Sequence, residues 1–329
     1  MTIVVTGAAG FIGYHVAAAL LDRGETVLGI DNFNDYYPVA LKTARAARLE
    51  GRPGFRLIRG DIADQEQITA LFASIGQELR GVVHLAAQAG VRYSLLDPYT
   101  YIQSNVMGQV VLLEATRKCA KPPHFVYASS SSVYGGNEKM PFSIDDRVDS
   151  PVSVYAATKK MDELLGHTYA HLYDFPITGL RFFTVYGPWG RPDMAAYLFA
   201  DAIAAGRPIQ VFNHGRMQRD FTYIDDIVGG VLAALDHPPP TGGRQTSHRV
   251  FNLGNNTPED LVHFIHLIEA ALGREAIMEM KPIQLGDVPA TYADIEATRR
   301  ELGFQPTTPI EVGIPRFIDW YKRYHGLKP

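Results

Sequence analysis

The chain has 329 residues, 46% of them hydrophobic and 20% charged, the balance of an ordinary globular protein built as one large domain or two sharing a core. A net charge of −4 gives no basic footprint for nucleic acid or an anionic membrane surface, so neither is expected as a partner. A single cysteine, Cys119, excludes an intramolecular disulfide and a cysteine-rich metal site, so no metal is expected; with no apolar run near the ~18 residues of a spanning helix, a reduced, cytoplasmic location is expected.

Thr2–Thr6 reads as a short apolar strand. It runs into Gly7, Gly10 and Gly13, with Phe11 and Ile12 opening a helical pattern that continues to about Arg23. A strand, a glycine-rich turn and a helix N-terminus make a phosphate cradle, because free backbone N–H groups and the helix dipole face the anion. The next strand, 26–30, ends in Asp31 and Asn32. An acidic side chain at that tip can accept from ribose hydroxyls and would repel a 2′-phosphate, which favours NAD over NADP; a turn cap is the competing role.

The alternation continues. A helix over 39–50 precedes a strand at 55–59 with Asp61 and Ile62 at its tip. A helix over 64–77 leads to a strand at 82–85, closing on Leu85, Ala86 and Ala87. A single long helix over 99–118 leads to a strand at 124–128, then a helix over 154–173 and a strand at 177–181. Strands alternating with helices of this length predict a Rossmann-type, doubly wound parallel sheet. Ligands of such sheets lie at the carboxyl ends of the strands, where the glycines, Asp31, Asp61, Ala86 and a run of serines all fall.

That serine run, 129–132, and the pair Tyr155 and Lys159 carry the chemistry. On a helix over 154–173 the phenol and the ammonium are one turn apart on one face. The ammonium favours the phenolate, and a serine hydroxyl can share the substrate's proton with it. The three form a general acid–base set for oxidising a carbinol beside a hydride acceptor. A Tyr-x-x-x-Lys pair alone is weak evidence, since most such pairs are surface features; its setting strengthens it.

After residue 187 the pattern changes, with helices expected around 194–205, 225–236, 258–272 and 309–324. Residues 1–187 are expected to form the cofactor-binding domain, with later segments returning to it, and 188–329 mainly a smaller, discontinuous α/β substrate-binding lobe. Residues 238–243 read as an exposed loop. His167 with His171, and His263 with His266, lack a third ligand and are not expected to bind metal. The stripe Ile102, Val106, Val110 and Leu113 reads as packing. Arg191, Arg216 and Arg219 are candidates to grip phosphate or carboxylate, against the alternative of solvated arginines.

Collected, these residues resemble an extended short-chain dehydrogenase/reductase of the nucleotide-sugar epimerase and dehydratase branch, over essentially the whole length. The marks are Gly7-x-x-Gly10-x-x-Gly13, Asp31, Asp61, the serines before Val133-Tyr134-Gly135, Tyr155-x-x-x-Lys159 and Arg219-Asp220-Phe221. Residues 88–94, 128–135, 181–187 and 190–194 resemble UDP-glucuronate 4-epimerases. The sister dehydratases carry an Asp-Glu pair where Ser131 and Ser132 stand, and the decarboxylases usually a glutamate at Ser132. Galactose epimerases typically have Asn where this chain has Thr184.

The resemblance implies reversible C4 epimerisation of UDP-glucuronate to UDP-galacturonate through a 4-keto sugar, with tightly bound NAD and no net redox change. It implies catalysis by Ser130, Tyr155 and Lys159. It adds Asn105 to the cofactor contacts and assigns the UDP-sugar to Gln88, Arg92, Ser130, Ser131, Thr184, Arg191, Arg219 and Asp287. A homodimer through the 99–118 and 154–173 helices is also implied. A galactose epimerase, a decarboxylase, a net oxidoreductase and a non-catalytic NAD sensor are the alternatives.

Overall fold

The computed structural model describes residues 1–243, 246–283 and 289–328. In chain order its first elements are β1 (Thr2–Thr6), α1 (Phe11–Asp22), β2 (Thr26–Asp31), α2 (Val39–Glu50), β3 (Phe55–Arg59), α3 (Gln65–Ile75), β4 (Leu79–His84), α4 (Pro98–Tyr101), α5 (Gly108–Arg117), β5 (His124–Ser130), α6 (Val154–Tyr173) and β6 (Ile177–Phe182). Then come β7 (Thr184–Tyr186), α7 (Ala195–Ala205), β8 (Ile209–Val211), β9 (Gln218–Tyr223), α8 (Ile224–Asp236), β10 (His248–Leu253), β11 (Pro258–Asp260), α9 (Leu261–Leu272), β12 (Met278–Met280), β13 (Ala290–Thr291), α10 (Glu296–Leu302) and α11 (Ile310–His325).

Seven strands form the central sheet in the order β10-β6-β5-β4-β1-β2-β3, and every pairing in it is parallel. The strand order reverses between β1 and β4, so the crevice at their carboxyl ends is where a doubly wound sheet takes its ligand. Successive residues of a strand face opposite sides. Ile3 and Val5 pack with α1 and α8, while Val4 packs with Ile68, Phe72 and Leu112 of α3 and α5. All three are fully buried, as a parallel strand covered by helices on both faces requires.

The first of these apolar clusters does not stop at the sheet. It continues through Phe221 and Phe264 to Phe317 and Trp320, so one core runs under both lobes. The second lobe holds a mixed sheet in which β9 pairs with β7, β11 and β13, and a small parallel pair of β8 with β12.

Several expectations need correcting. The long helix is not uniform: α4 and α5 are separated by a π-helical turn, Ile102–Met107. Gly108 sits at its end, where a Cβ would come 2.5 Å from Ile62 Cδ1, so the helix presses against the tip of β3. Single π-turns of this kind are common beside functional sites. The apolar stripe is no exception to its reading as packing: Leu113 lies in the core, and Ile102, 46% exposed, is compatible with packing against another subunit. Helix α9 starts at Leu261 because residues 258–260 pair with β9 instead. β10 and α10 were not foreseen.

Candidate active site

At the end of β1 the chain turns so tightly that only glycine fits. Gly7 has φ +70, and a Cβ there would lie 2.8 Å from Ala86 N; at Gly13 it would lie 2.0 Å from Gly7 O. Gly10 begins α1 without a side-chain cap, which leaves the N–H groups of Phe11, Ile12 and Gly13 for an anion. This cradle, which a single methyl would close, fits the diphosphate of a dinucleotide.

Asp31 ends β2 beside it. Its carboxylate accepts from Ala9 N at 3.0 Å and Phe33 N at 2.8 Å. The turn-capping role is therefore present, and each oxygen keeps acceptor capacity beyond it. Asn32 donates to Asp61 Oδ2 at 3.0 Å, bridging the tips of β2 and β3, with Ile62 buried behind. Thr6 Oγ1 accepts from Leu85 N and Ala86 N and so sets the course of residues 85–87. Asn105, in the π-turn, is completely buried. Its side chain bonds both the N–H and the carbonyl of Gln88 and also Thr158 Oγ1, so any part it plays at the cofactor runs through the loop it holds.

The acid–base residues meet where β5 and α6 adjoin. Ser153, two residues before Tyr155, caps the start of α6 through Ala156 N at 3.1 Å. Lys159, 3% exposed, donates to Ala128 O at 2.9 Å and to Asp162 Oδ2 at 3.1 Å. These bonds fix its ammonium against β5, at Ala128, two residues before Ser130. The Ser130 hydroxyl lies 3.1 Å from Ser132 Oγ and accepts from Ser132 N at 3.1 Å. The Tyr155 ring stands edge-on to Tyr101, with centroids 6.1 Å apart. Ser129 points away from this set: it donates to Glu163, which is chelated by Arg181. Burial pushes the Glu163 carboxyl up, but Arg181 outweighs it and holds the group ionised.

The second lobe closes over these groups. Thr184 and Arg191 line one small cavity with Gly187, Gly190, Met194 and Phe317. Arg191 is bound in a fork by Asp193, whose other partner is the Tyr36 hydroxyl at 3.1 Å. The guanidinium is half-buried, and although desolvation works against its charge, Asp193 first, and Tyr37 and Tyr155 after it, keep it firmly charged. Arg191 therefore lies within electrostatic reach of the Tyr155 phenol. Burial and the Asp193 charge push Tyr36 up to about 12, so it acts as a neutral donor.

Ser131 is half-buried at the start of the turn that follows β5. Gln88 is buried, its Oε1 3.4 Å from Asn34 Nδ2. The Arg92 guanidinium lies over the Phe212 ring at 5.4 Å, reaching across the two lobes. Arg219, on β9, touches Gln218 O and Pro289 O. Asp287 lies outside the described residues.

Two acidic residues escaped the sequence reading, and a third, Asp220, entered it only inside the Arg219-Asp220-Phe221 mark, with no role of its own. Asp193 stands two positions after Arg191 in a motif whose arginine alone drew attention. Asp162 follows Lys159 by three on α6. Asp220 is buried and accepts from Thr222 Oγ1 and from the N–H groups of Asn255, Asn256 and Ala293, which makes it the knot of the second lobe.

Known proteins match this arrangement throughout. The model of the NAD dependent epimerase/dehydratase family matches residues 3–254. UDP-glucuronate 4-epimerase 4 of Arabidopsis thaliana is 50% identical over 336 residues, spanning 99% of this chain and 76% of that protein. A probable UDP-glucuronate 4-epimerase of Rhizobium meliloti is 46% identical over 334 residues, 98% of this chain and 97% of that one. The crystal structure of the UDP-glucuronic acid 4-epimerase of Bacillus cereus with UDP-glucuronic acid and NAD superposes with a TM-score of 0.89 at 36% identity, covering 98% and 100% of the two chains.

Proposed function

The chain belongs to the NAD dependent epimerase/dehydratase family, and we propose that it interconverts UDP-glucuronate and UDP-galacturonate by epimerisation at C4. The observation that carries the choice of substrate is Arg191, a half-buried, charged fork that lines one cavity with Thr184 and lies in electrostatic reach of Tyr155. A hydroxymethyl sugar has no use for such a group, whereas a uronic acid does. Relatives of that activity at about half identity over nearly the whole chain support the same reading.

NAD, when bound, supplies the acceptor and donor of the C4 hydride. The residues for it are the cradle of Gly7, Gly10 and Gly13 with the first N–H groups of α1, Asp31 at the ribose, and the loop 85–87. Tyr155 takes the proton of the 4-hydroxyl, and Lys159, locked on Ala128 O, keeps positive charge beside the phenolate that results. Ser130 presents a hydroxyl to the same sugar oxygen. The flat 4-keto sugar then turns on its diphosphate tether, so that a hydride returned to C4 would arrive on the opposite face, while Tyr155 returns the proton to the C4 oxygen. Arg191, with Thr184 and Ser131, holds the carboxylate, while Arg92, Arg219 and Gln88 take the remainder of the UDP-sugar. No acidic side chain stands at Ser131 or Ser132 to protonate a decarboxylating intermediate. Residues 1–187 with later segments form the cofactor half and 188–329 mainly the substrate half.

No helix among the described residues is long and apolar enough to cross a membrane. A cytoplasmic place of action is part of the proposal. The exposed apolar side chains Tyr99, Leu164 and Leu172 along the outer helices fit a homodimer.

Incubation of the purified protein with UDP-glucuronate tests the reading. UDP-galacturonate should form with neither UDP-xylose nor NADH accumulating. Stoichiometric NADH would make it a net oxidoreductase, and UDP-xylose a decarboxylase. Equal turnover of UDP-glucose would put a galactose epimerase in its place.

A further inference from the structure

Arg45 of α2 is fully buried, and none of its hydrogen-bond partners is a carboxylate. Its Nε and Nη2 donate to Trp189 O at 3.1 and 2.6 Å, and Nη2 also to Gly190 O at 3.2 Å. Nη1 donates to Ala9 O at 3.0 Å and to the Tyr37 hydroxyl at 2.8 Å. A guanidinium has five N–H donors in a rigid fork, and here all of them are used on neutral oxygens. Burying a charge without an opposite charge is costly, so the site holds a geometry that needs every one of these bonds.

What they hold is the turn immediately before Arg191. Trp189 is in the left-handed region, φ 63, which costs a side-chain-bearing residue about 1–2 kcal/mol. His15 Nε2 lies 2.9 Å from Pro188 O; burial pushes its imidazole down to about 4, so it donates as the neutral tautomer. Arg48 lies 5.3 Å over the Trp189 ring. Residues 188, 189 and 190 are thus each gripped from α1 or α2. From the other side Trp189 meets Trp320 and Tyr324 of α11, at 5.3 and 5.5 Å between centroids. The glycine-rich loop, through Ala9, is the fixed end of this clamp.

We propose that Arg45 is a positioning residue for Arg191: it clamps the strained turn 188–190 onto the glycine-rich loop and so places the Arg191 fork where the sugar carboxylate is held. The inference rests on the assignment of a uronic acid substrate. Lysine cannot take its place, since three N–H donors on a single atom cannot reach carbonyls on two separate loops. A clamp on the carboxylate contact acts on the preference between UDP-glucuronate and UDP-glucose, which share every other group. A residue that merely supported the fold would weaken both alike.

The test measures dissociation constants of UDP-glucuronate and UDP-glucose by calorimetry on the NAD-loaded protein, for wild type, Arg45→Lys, Arg45→Met and the milder Tyr37→Phe. The preference for the acid, the UDP-glucose constant divided by the UDP-glucuronate constant, should fall at least ~10-fold in both Arg45 variants, a change of about 1.4 kcal/mol. In Tyr37→Phe it should move less and in the same direction, which keeps the test open if the Arg45 variants do not fold. An unchanged ratio in the variants that fold, or a wild-type ratio restored by lysine, overturns the inference. A wild type that shows no preference for the acid overturns the substrate assignment itself, and the clamp's assigned purpose with it.

Discussion

Lys159 and Asp162 form an ion pair 3.1 Å long inside the protein, with 3% and 0% of their side chains exposed. Burial pushes the Asp162 carboxyl up to about 7, against the pull of Lys159. Glu163 faces it as well and opposes its ionisation, while Tyr127, whose phenol burial pushes far up, stays neutral there. Among the described residues Asp162 Oδ1 and the Gln109 Oε1 atom have no hydrogen-bond partner, although Gln109 Nε2 donates to the Asp162 carbonyl at 2.7 Å.

A pH dependence of stability follows. The folded protein holds this proton to about pH 7, while the unfolded chain releases it near the ordinary carboxyl value of 3.8. Between those values the folded state binds more protons, so the contribution of Asp162 is present at low pH and lost as pH rises towards 7. Asp162→Asn removes the titration, and its amide can donate to Gln109. Its Tm should exceed that of wild type by a few degrees at about pH 8 and by little at about pH 5. A Tm difference that does not change with pH would remove Asp162 from this role.

Tyr155→Phe should lose at least ~10²-fold in kcat, the lower end for a positioned proton-transfer group, with NAD still bound. Ser130→Ala should lose less, because it shares the proton and does not take it. Single-turnover kinetics with UDP-glucuronate measure both, and near-normal turnover in the folded phenylalanine variant would refute the role of the phenol.

Asp31 should make the protein favour NAD over NADP. A 2′-phosphate would meet a carboxylate that is 8% exposed and already fixed by Ala9 N and Phe33 N, so it could not turn away. Binding constants for the two dinucleotides decide this, and equal affinities would leave Asp31 as a turn cap alone.

Arg191→Ala should lower kcat/KM for UDP-glucuronate by ~10- to 10²-fold, the range for a hydrogen bond to a charged group, and leave any UDP-glucose activity nearly unchanged. Asp193→Asn acts on the same fork in the other sense. With its competitor neutral, Arg191 is freer for the sugar, so KM for UDP-glucuronate should fall. A rise in that KM would show that Asp193 is needed to aim the arginine.

The sheet and its ligand edge were legible because apolar runs at regular spacing fix both the strands and their ends. β1 and α2 run over the residues their patterns indicated. The π-turn was not legible, since its side-chain pattern is that of a helix; it depends on Asn105 being drawn to Gln88 and Thr158. β10 reads His-Arg-Val-Phe-Asn-Leu, too polar at its start to look like a strand that lies beside β6. Tyr155 and Lys159 were visible as spacing on one helix. The partners of Arg191 and the clamp of Arg45 were hidden, because they join residues more than a hundred positions apart or depend on the bend of a turn.

β10 lies at the edge of the main sheet but is made after β7, β8 and β9 have been laid down in the other lobe. The backbone therefore passes between the halves more than once, and no single peptide serves as a hinge. A protease that nicked the exposed loop 238–243 would separate α8 from β10 in sequence only. The two fragments would remain threaded through each other, one lacking an edge strand that the other still supplies.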